Sequence, residues 1–352
     1  MRTAATDNLS IYRDLRAAGH DIRHMRFERH LETARPRESD GEGVDQTPKA
    51  GTRPIDWERT SVFSHRVGTA TGRSPFRYFL DGAQRTLPSF FTDVVPISSS
   101  INVAGILERD DEGTAKLAAN TLKLRHTWLI PMRSSFPVVN AVLDRLRQME
   151  CNIVDPLKPL EDDEEQYVEA LADYDRIANF AKVSASALRQ EMEDAVLRDW
   201  ASASQPDRDW IVVDGTLRQG FPRAIGLVKS FTYSYLTGSH YEELYRLKPG
   251  YRSLAFLVER HRLPVVAWYL RLWDPTGRDP RYSLIRIETA DIDLSAADAS
   301  DQIDHLSAWV LAERIPSAKA DERWATLLYP VHHLERILKR RLDIETRSWW
   351  QG

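Results

Sequence analysis

Phe76-Arg77-Tyr78-Phe79-Leu80-Asp81-Gly82 and Trp210-Ile211-Val212-Val213-Asp214-Gly215 are two short hydrophobic runs that each close in Asp-Gly. Each reads as a buried strand delivering a carboxylate to its own end, because a short run rich in aromatic and β-branched residues, bounded by a turn dipeptide, favours a strand. Carboxylate oxygens are hard ligands suited to Mg²⁺ or Mn²⁺. Two of them brought together can hold a divalent cation, which points to phosphodiester chemistry. The adjacent glycine lets the backbone turn sharply and lets a phosphate come close. Asp-Gly is also a common turn dipeptide, so the alternative for either copy is a simple hairpin turn.

Working outward, strands dominate residues 75–107, and LRHTWLI at 124–130 reads as a further strand. Helices are expected at 135–150 and over 164–201, flanking an acidic polar stretch at 155–167. After the strand at 209–214 come a strand fragment at 224–228, a helix within 223–247, and strands at 264–273 and 282–288. Helices at about 299–314 and 330–342 close the chain. At the front, 9–32 reads as a helix and 34–56, poor in apolar groups, as a linker or mobile arm. Strands cluster first and then mix with helices, which predicts an α/β fold with a mixed sheet rather than regular βαβ units. Residues 1–56 form the N-terminal helix and arm, and 57–352 the main domain, with its core at about 75–290 and its C-terminal helices at about 298–345.

The chain of 352 residues is 42% apolar, enough for a substantial core, and its net charge of -4 excludes a uniformly basic nucleic-acid coat. A basic groove within it remains compatible with that charge, because local field steers a ligand. One cysteine, Cys151, fits a reducing, cytoplasmic setting. No signal peptide or membrane-length apolar run is visible. There is no G-x-G-x-x-G after a strand, no phosphate-binding lysine loop, no G-x-S-x-G and no H-E-x-x-H, so the common nucleotide-binding and hydrolase classes lack support. A third carboxylate for a metal site is offered by the helix before the second strand, as Glu191, Glu193 or Asp194. Spacing alone does not decide between the glutamates.

Five segments in order resemble the NurA family of DNA repair nucleases. They are DGAQRT from Asp81, VVDGTL around Asp214, AIGLVKS with Lys229, GYRSLAF at 250–256, and the pair WYLRL at 268–272 and LIRIE at 284–288. The resemblance spans roughly residues 75–342. It implies an RNase H-like mixed sheet flanked by helices, with helical insertions and a C-terminal helical segment. It further implies a deoxyribonuclease using one or two Mn²⁺ (or Mg²⁺) ions held by Asp81, Glu193 and Asp214. Glu193, with Arg189 four residues earlier, matches the family pattern, and Glu191 is the fallback. The family's C-terminal Tyr-Pro and histidine correspond to Tyr329, Pro330 and His332 or His333, with His333 taken for the site. Two departures stand out: Ala83 replaces a usual serine, and the family's histidine falls about where Glu335 stands.

The activity implied is hydrolysis of DNA, with Lys229, Arg252 or Arg271 neutralising phosphate charge. Gln84, Arg85 and Arg286 join them as expected nucleic-acid contacts. Arg271 and Arg286 lie inside apolar strands, so they must face solvent, a partner or the site unless paired. Tyr78, Phe79, Phe90 and Phe91 read mainly as core, with base stacking as the alternative. Trp349 and Trp350 follow a basic run and read as a partner surface or as buried against the domain. By resemblance, the partners are DNA, a HerA-type hexameric ATPase and a second copy in a homodimer, serving DNA end resection in repair or anti-phage defence. The competing readings are a catalytically silent adaptor of the translocase, and an RNase H-like nuclease acting on RNA or a hybrid.

Overall fold

The computed structural model describes residues 4–20, 23–24, 52–60, 62–92, 95–203, 209–231, 234–260, 263–316 and 322–346. In chain order the elements are α1 (Ala4–Ala17), β1 (Arg23–His24), β2 (Asp56–Trp57), β3 (Ser64–Arg66), β4 (Phe76–Thr92), β5 (Val95–Arg109), β6 (Ala115–Leu117) and β7 (Lys123–Leu129). There follow α2 (Pro137–Gln148), β8 (Ile153–Val154), α3 (Glu164–Leu171), α4 (Tyr174–Ala203), β9 (Trp210–Asp214), β10 (Ala224–Val228) and α5 (Ser239–Tyr245). The last are β11 (Tyr251–Ser253), β12 (Phe256–Arg260), β13 (Leu263–Arg271), β14 (Leu284–Thr289), α6 (Ala299–Glu313) and α7 (Tyr329–Thr346).

The strands form one sheet in the order β2-β12-β13-β14-β10-β9-β4-β5-β7-β8. At its centre β9 runs parallel to both β10 and β4, while β4–β5, β10–β14 and β13–β14 are antiparallel. The fold is α/β with a mixed sheet flanked by helices, compatible with an RNase H-like core. No helix among the described residues is long and apolar enough to cross a membrane.

Alternation along the central strands sends side chains to two separate cores. Phe79, Ile101, Val103, Val212, Ile225 and Leu227 face one way, under Ile303 and Val310 of α6 and Leu334, Leu338 and Leu342 of α7. Leu80, Ala104, Ile106, Ile211 and Val213 face the other, against Met192, Val196, Leu197 and Trp200 of α4. Further along β5 the α4 face turns polar. There Asn102 donates to the Ala185 carbonyl of α4 at 2.9 Å, and the Thr86 and Ser100 hydroxyls bond at 2.9 Å. Helix α4 is thereby fixed in position over the sheet by apolar contact at one end and hydrogen bonds at the other. The β4–β5 register slips between Pro88 and Phe90, as expected where proline cannot donate to the ladder.

Several expected boundaries shift. The first helix ends at Ala17, before Gly19 at φ 84, rather than running on to 32. It packs Ile11 and Leu15 against Val139, Val142 and Leu146 of α2. The end of the expected arm belongs to the sheet, since β2 pairs with β12. Most of that arm, with Trp349 and Trp350, lies outside the described residues, as do the side chains of Phe90 and Phe91. The helix expected within 223–247 is confined to Ser239–Tyr245. Ahead of it Phe231, Tyr235 and Leu236 enter the core without helical structure.

Candidate active site

β4 and β9 are parallel neighbours whose register ends at Leu80↔Val213. The next residues along are Asp81 and Asp214, on adjacent strands spaced about 4.8 Å apart. Both share the face of Phe79 and Val212, beneath α6 and α7. Asp214 closes its strand as the sequence suggests. Asp81 does not: β4 continues to Thr92, so Asp81 is a mid-strand residue and its Asp-Gly is no hairpin turn. The strand that stops is β9, and among the described residues β4 has no partner on that side from Gly82 until β1 pairs at Phe90. There the Gly82 amide donates to Asp81 Oδ1 at 2.7 Å.

The two glycines do different work. Gly215 adopts φ 106, in the region glycine enters at no steric cost, and turns the chain out of β9. The chain then crosses β10 so closely that a Cβ on Gly226 would lie 2.8 Å from the Gly215 carbonyl and 2.9 Å from the Leu217 amide. Glu288 of β14 accepts from that Leu217 amide at 3.3 Å. On the same α4 face, opposite the two aspartates, a Cβ on Gly82 would collide with Glu193 Oε1 and sit 3.0 Å from its Cγ and Cδ. Gly82 thus lets the Glu193 carboxylate rest directly on the strand beside Asp81.

Charges crowd this point. Lys229 follows β10 and places Nζ 2.6 Å from Asp214 Oδ2, with its side chain only 6% exposed. Burial pushes the Asp81 carboxyl up and the Asp214 charge pushes it further. Lys229 opposes both, Glu193 and Glu335 add to the rise, and the net result lies well above the usual carboxylate range. For Lys229, burial works against the charge, but Asp214, Asp81 and Glu335 outweigh it and raise its pKa. Glu335, on α7, is half-buried. Burial alone would raise its carboxyl, but Lys339 at 2.7 Å, Lys229 and His332 hold it below the usual range.

Glu193 is buried and carries two cations. Arg189, one turn earlier on α4, contacts Oε1, and Arg218 Nη2 lies 3.2 Å from Oε2. Glu191 is exposed on the solvent side of the helix, which removes the fallback. Among the described residues no group of three His, Cys, Asp or Glu side chains stands in a ligating arrangement. Asp81 and Asp214 share one face, and Glu193 approaches from the other, held by its arginines.

The expected phosphate contacts divide. Lys229 is in the site. Gln84 points to the α4 face, donating to Ser186 at 3.2 Å, away from Asp81. Arg85 is tied to α7 through Thr346 at 2.8 Å and Asp343 at 2.7 Å. Arg252, Arg271 and Arg286 are fully buried structural groups, not phosphate ligands. Arg252 holds both oxygens of Glu58, at 2.8 and 2.9 Å, and also bonds Asp304 and Ser300. Arg271 donates to the carbonyls of Leu247, Pro280, Tyr282 and Tyr245. Arg286 pairs with Glu288 at 2.9 Å and lies over the Tyr235 ring at 4.7 Å. Each satisfies the condition that a buried charge be paired or hydrogen-bonded, from inside the core. Tyr329 and His333 stack on each other at the start of α7, with ring centroids 6.5 Å apart. From α7, Glu335 is among the charges that act most strongly on Asp81 and Lys229.

Two participants are not among the expected site residues. Glu335 stands out in sequence only as the place where the histidine of the resembled family falls. Arg218 leaves no signal, because Glu193 and Asp194 are 25 and 24 residues away from it in the chain. No family model and no curated protein matches this chain.

Proposed function

We propose that this protein is a divalent-metal-dependent deoxyribonuclease of the NurA type, processing DNA ends or invading DNA together with a HerA-type hexameric translocase. The observation that most supports this reading is the Asp81–Asp214 pair: two carboxylates on adjacent parallel strands, on one face, kept close despite their mutual repulsion. The donor set suits a hard cation such as Mn²⁺ or Mg²⁺. Asp81 and Asp214 would hold it, with Glu193 and Glu335 as the side chains able to complete the set. A bound divalent cation would supply Lewis acidity and lower the pKa of a water nucleophile. The protein's own part is to fix both aspartates on strands, to hold Lys229 charged beside them, and to keep an open edge where β9 stops. Lys229, once released from Asp214, would neutralise charge on the phosphate under attack. A homodimer in the cytoplasm is the expected assembly, and the chain's lack of an ATP-binding loop suits a separate motor.

The test is cleavage of labelled single- and double-stranded DNA with Mn²⁺, Mg²⁺ or EDTA, comparing the wild type with Asp81→Ala and Asp214→Ala. Metal-dependent cutting lost in both variants supports the reading, and cutting that survives both overturns it. One observation favours a second reading, a catalytically silent adaptor: Glu193 is already neutralised by Arg189 and Arg218. That reading expects the wild type to bind DNA or the ATPase without cutting.

A further inference from the structure

Arg218 has an unusual position. Its Nε donates to both oxygens of Asp194 at 3.0 Å, and its Nη2 donates to the Gln190 carbonyl at 3.0 Å and to Glu193 at 3.2 Å. Among the described residues its Nη1 makes no hydrogen bond. The side chain is 25% exposed, whereas Glu193 is 3% exposed and Arg189 6%. Arg189 shares a helix with Glu193 and moves with it. Arg218 comes instead from the turn just after Asp214 and links solvent to the buried carboxylate. A guanidinium fork with uncommitted donors, a few residues from a metal-binding aspartate, matches a backbone phosphate in geometry and charge.

Resting on the nuclease reading, we infer that Arg218 is a phosphate-operated latch on Glu193. In the free protein it holds the Glu193 carboxylate back. When a DNA phosphate engages the unused Nη1 and then, as the second arm of the fork, Nη2, the Nη2–Glu193 bond is given up. Glu193 then loses one of its two cations, and its carboxylate becomes available to the cation held by Asp81 and Asp214. Asp194 keeps Arg218 in place during the exchange. The protein would thereby bind the metal ion tightly only with DNA in the site, and cutting without bound substrate would be suppressed. The coupling is reciprocal, so the ion must tighten DNA binding by the same factor.

The experiment is a Mn²⁺ titration of the full-length protein followed by the electron paramagnetic resonance signal of free Mn²⁺. It is run with and without a single-stranded oligonucleotide of phosphorothioate linkages, on the wild type, Arg218→Gln, Arg218→Lys, Asp81→Asn and Asp214→Asn. The expectation is that DNA tightens Mn²⁺ binding roughly tenfold in the wild type. Arg218→Gln should bind Mn²⁺ that tightly without DNA and gain nothing from it. Arg218→Lys, which keeps the charge but cannot hold Asp194 and Glu193 together, should fall between them, so a misfolded glutamine variant does not decide the matter. If Mn²⁺ binding is lost in both aspartate variants, yet wild type and Arg218 variants bind with equal affinity and equal response to DNA, the latch is refuted and the nuclease reading stands. If Mn²⁺ binding is absent or indifferent to both aspartates, the nuclease reading fails and the latch with it.

Discussion

Replacing Gly82 with alanine is expected to destabilise the protein by about 1–2 kcal/mol, and to do so only while Glu193 is present. The added methyl would overlap Glu193 Oε1 and sit 3.0 Å from Cγ and Cδ. Glu193 cannot swing aside freely, because Arg189 and Arg218 grip one oxygen each. Overpacking of this kind costs about 1–3 kcal/mol. Against it stands the reduced freedom of the unfolded chain, about 0.4–1 kcal/mol in favour of alanine at a backbone position it tolerates. Gly82 lies within a regular strand, so the second term applies. In a Glu193→Ala background the collision is gone and only the favourable term remains, so the same substitution should become neutral or slightly stabilising. Urea unfolding of the wild type, both single variants and the double variant measures this sign change directly. If Gly82→Ala costs the same with and without Glu193, the carboxylate does not rest on Gly82, and its approach to Asp81 from the α4 face is wrong.

Asp81→Asn should abolish metal-dependent cleavage yet raise the melting temperature in EDTA, since it removes a buried carboxylate crowded by Asp214, Glu193 and Glu335. The pH signature follows from the sign: a folded pKa above the unfolded value means the folded state binds more protons, so this contribution to stability falls as pH rises through the folded pKa, and a melting series with the variant should lose that component. His126 acts in the opposite sense. Burial pulls its pKa from 6.5 to about 4, so the unfolded state takes up the proton first and stability falls as pH drops from 6.5 towards 4. The loss is at most about 3 kcal/mol, and His126→Gln should flatten the acid limb of the unfolding curve. Arg252→Met should cost about 3–5 kcal/mol by stranding Glu58 in the core, while the DNA affinity of the folded fraction at low temperature stays unchanged. A selective loss of DNA binding would restore Arg252 to the phosphate-binding set.

Much of this arrangement was legible in sequence. The two Asp-Gly strands, the strands that follow the first, the long helix before the second and the two closing helices lie close to where periodicity puts them. Local pattern reports such elements because each strand or helix must bury its own face. Much of what pattern missed depends on partners outside the local stretch. Arg271 and Arg286 interrupt apolar strands, and the rule against unpaired buried charge points them to solvent, a partner or the site, while Arg252 reads in sequence as a phosphate contact. The rule held, but the fold satisfied it inside, with Glu58 lying 194 residues from Arg252 and with backbone carbonyls around Arg271. The strand end at Asp81 was misplaced for a similar reason. Asp-Gly there marks neither a turn nor a terminus, because Gly82 is needed by a glutamate on another element. Only the second Asp-Gly carries a local backbone demand, visible as the positive φ of Gly215.

The energetic contrast between these buried charges separates structure from function. Arg252 meets two carboxylates and a hydroxyl, and Arg286 meets Glu288 and an aromatic face. In both, the buried cation meets a carboxylate inside the core, and the fold tolerates its burial because opposite charge is already at hand. Asp81 is different. It is 5% exposed, and among the described residues its one hydrogen bond is from the Gly82 amide, while Lys229 bonds Asp214 instead. Three further carboxylates act on it, and its proton affinity rises accordingly. A fold free to choose would place an alanine or a valine there, as it does at Ala83 and Val212 on the same face. Keeping a carboxylate in so unfavourable a place is understandable if a species outside the chain completes its coordination, and the divalent cation proposed above would supply the missing positive charge at this position.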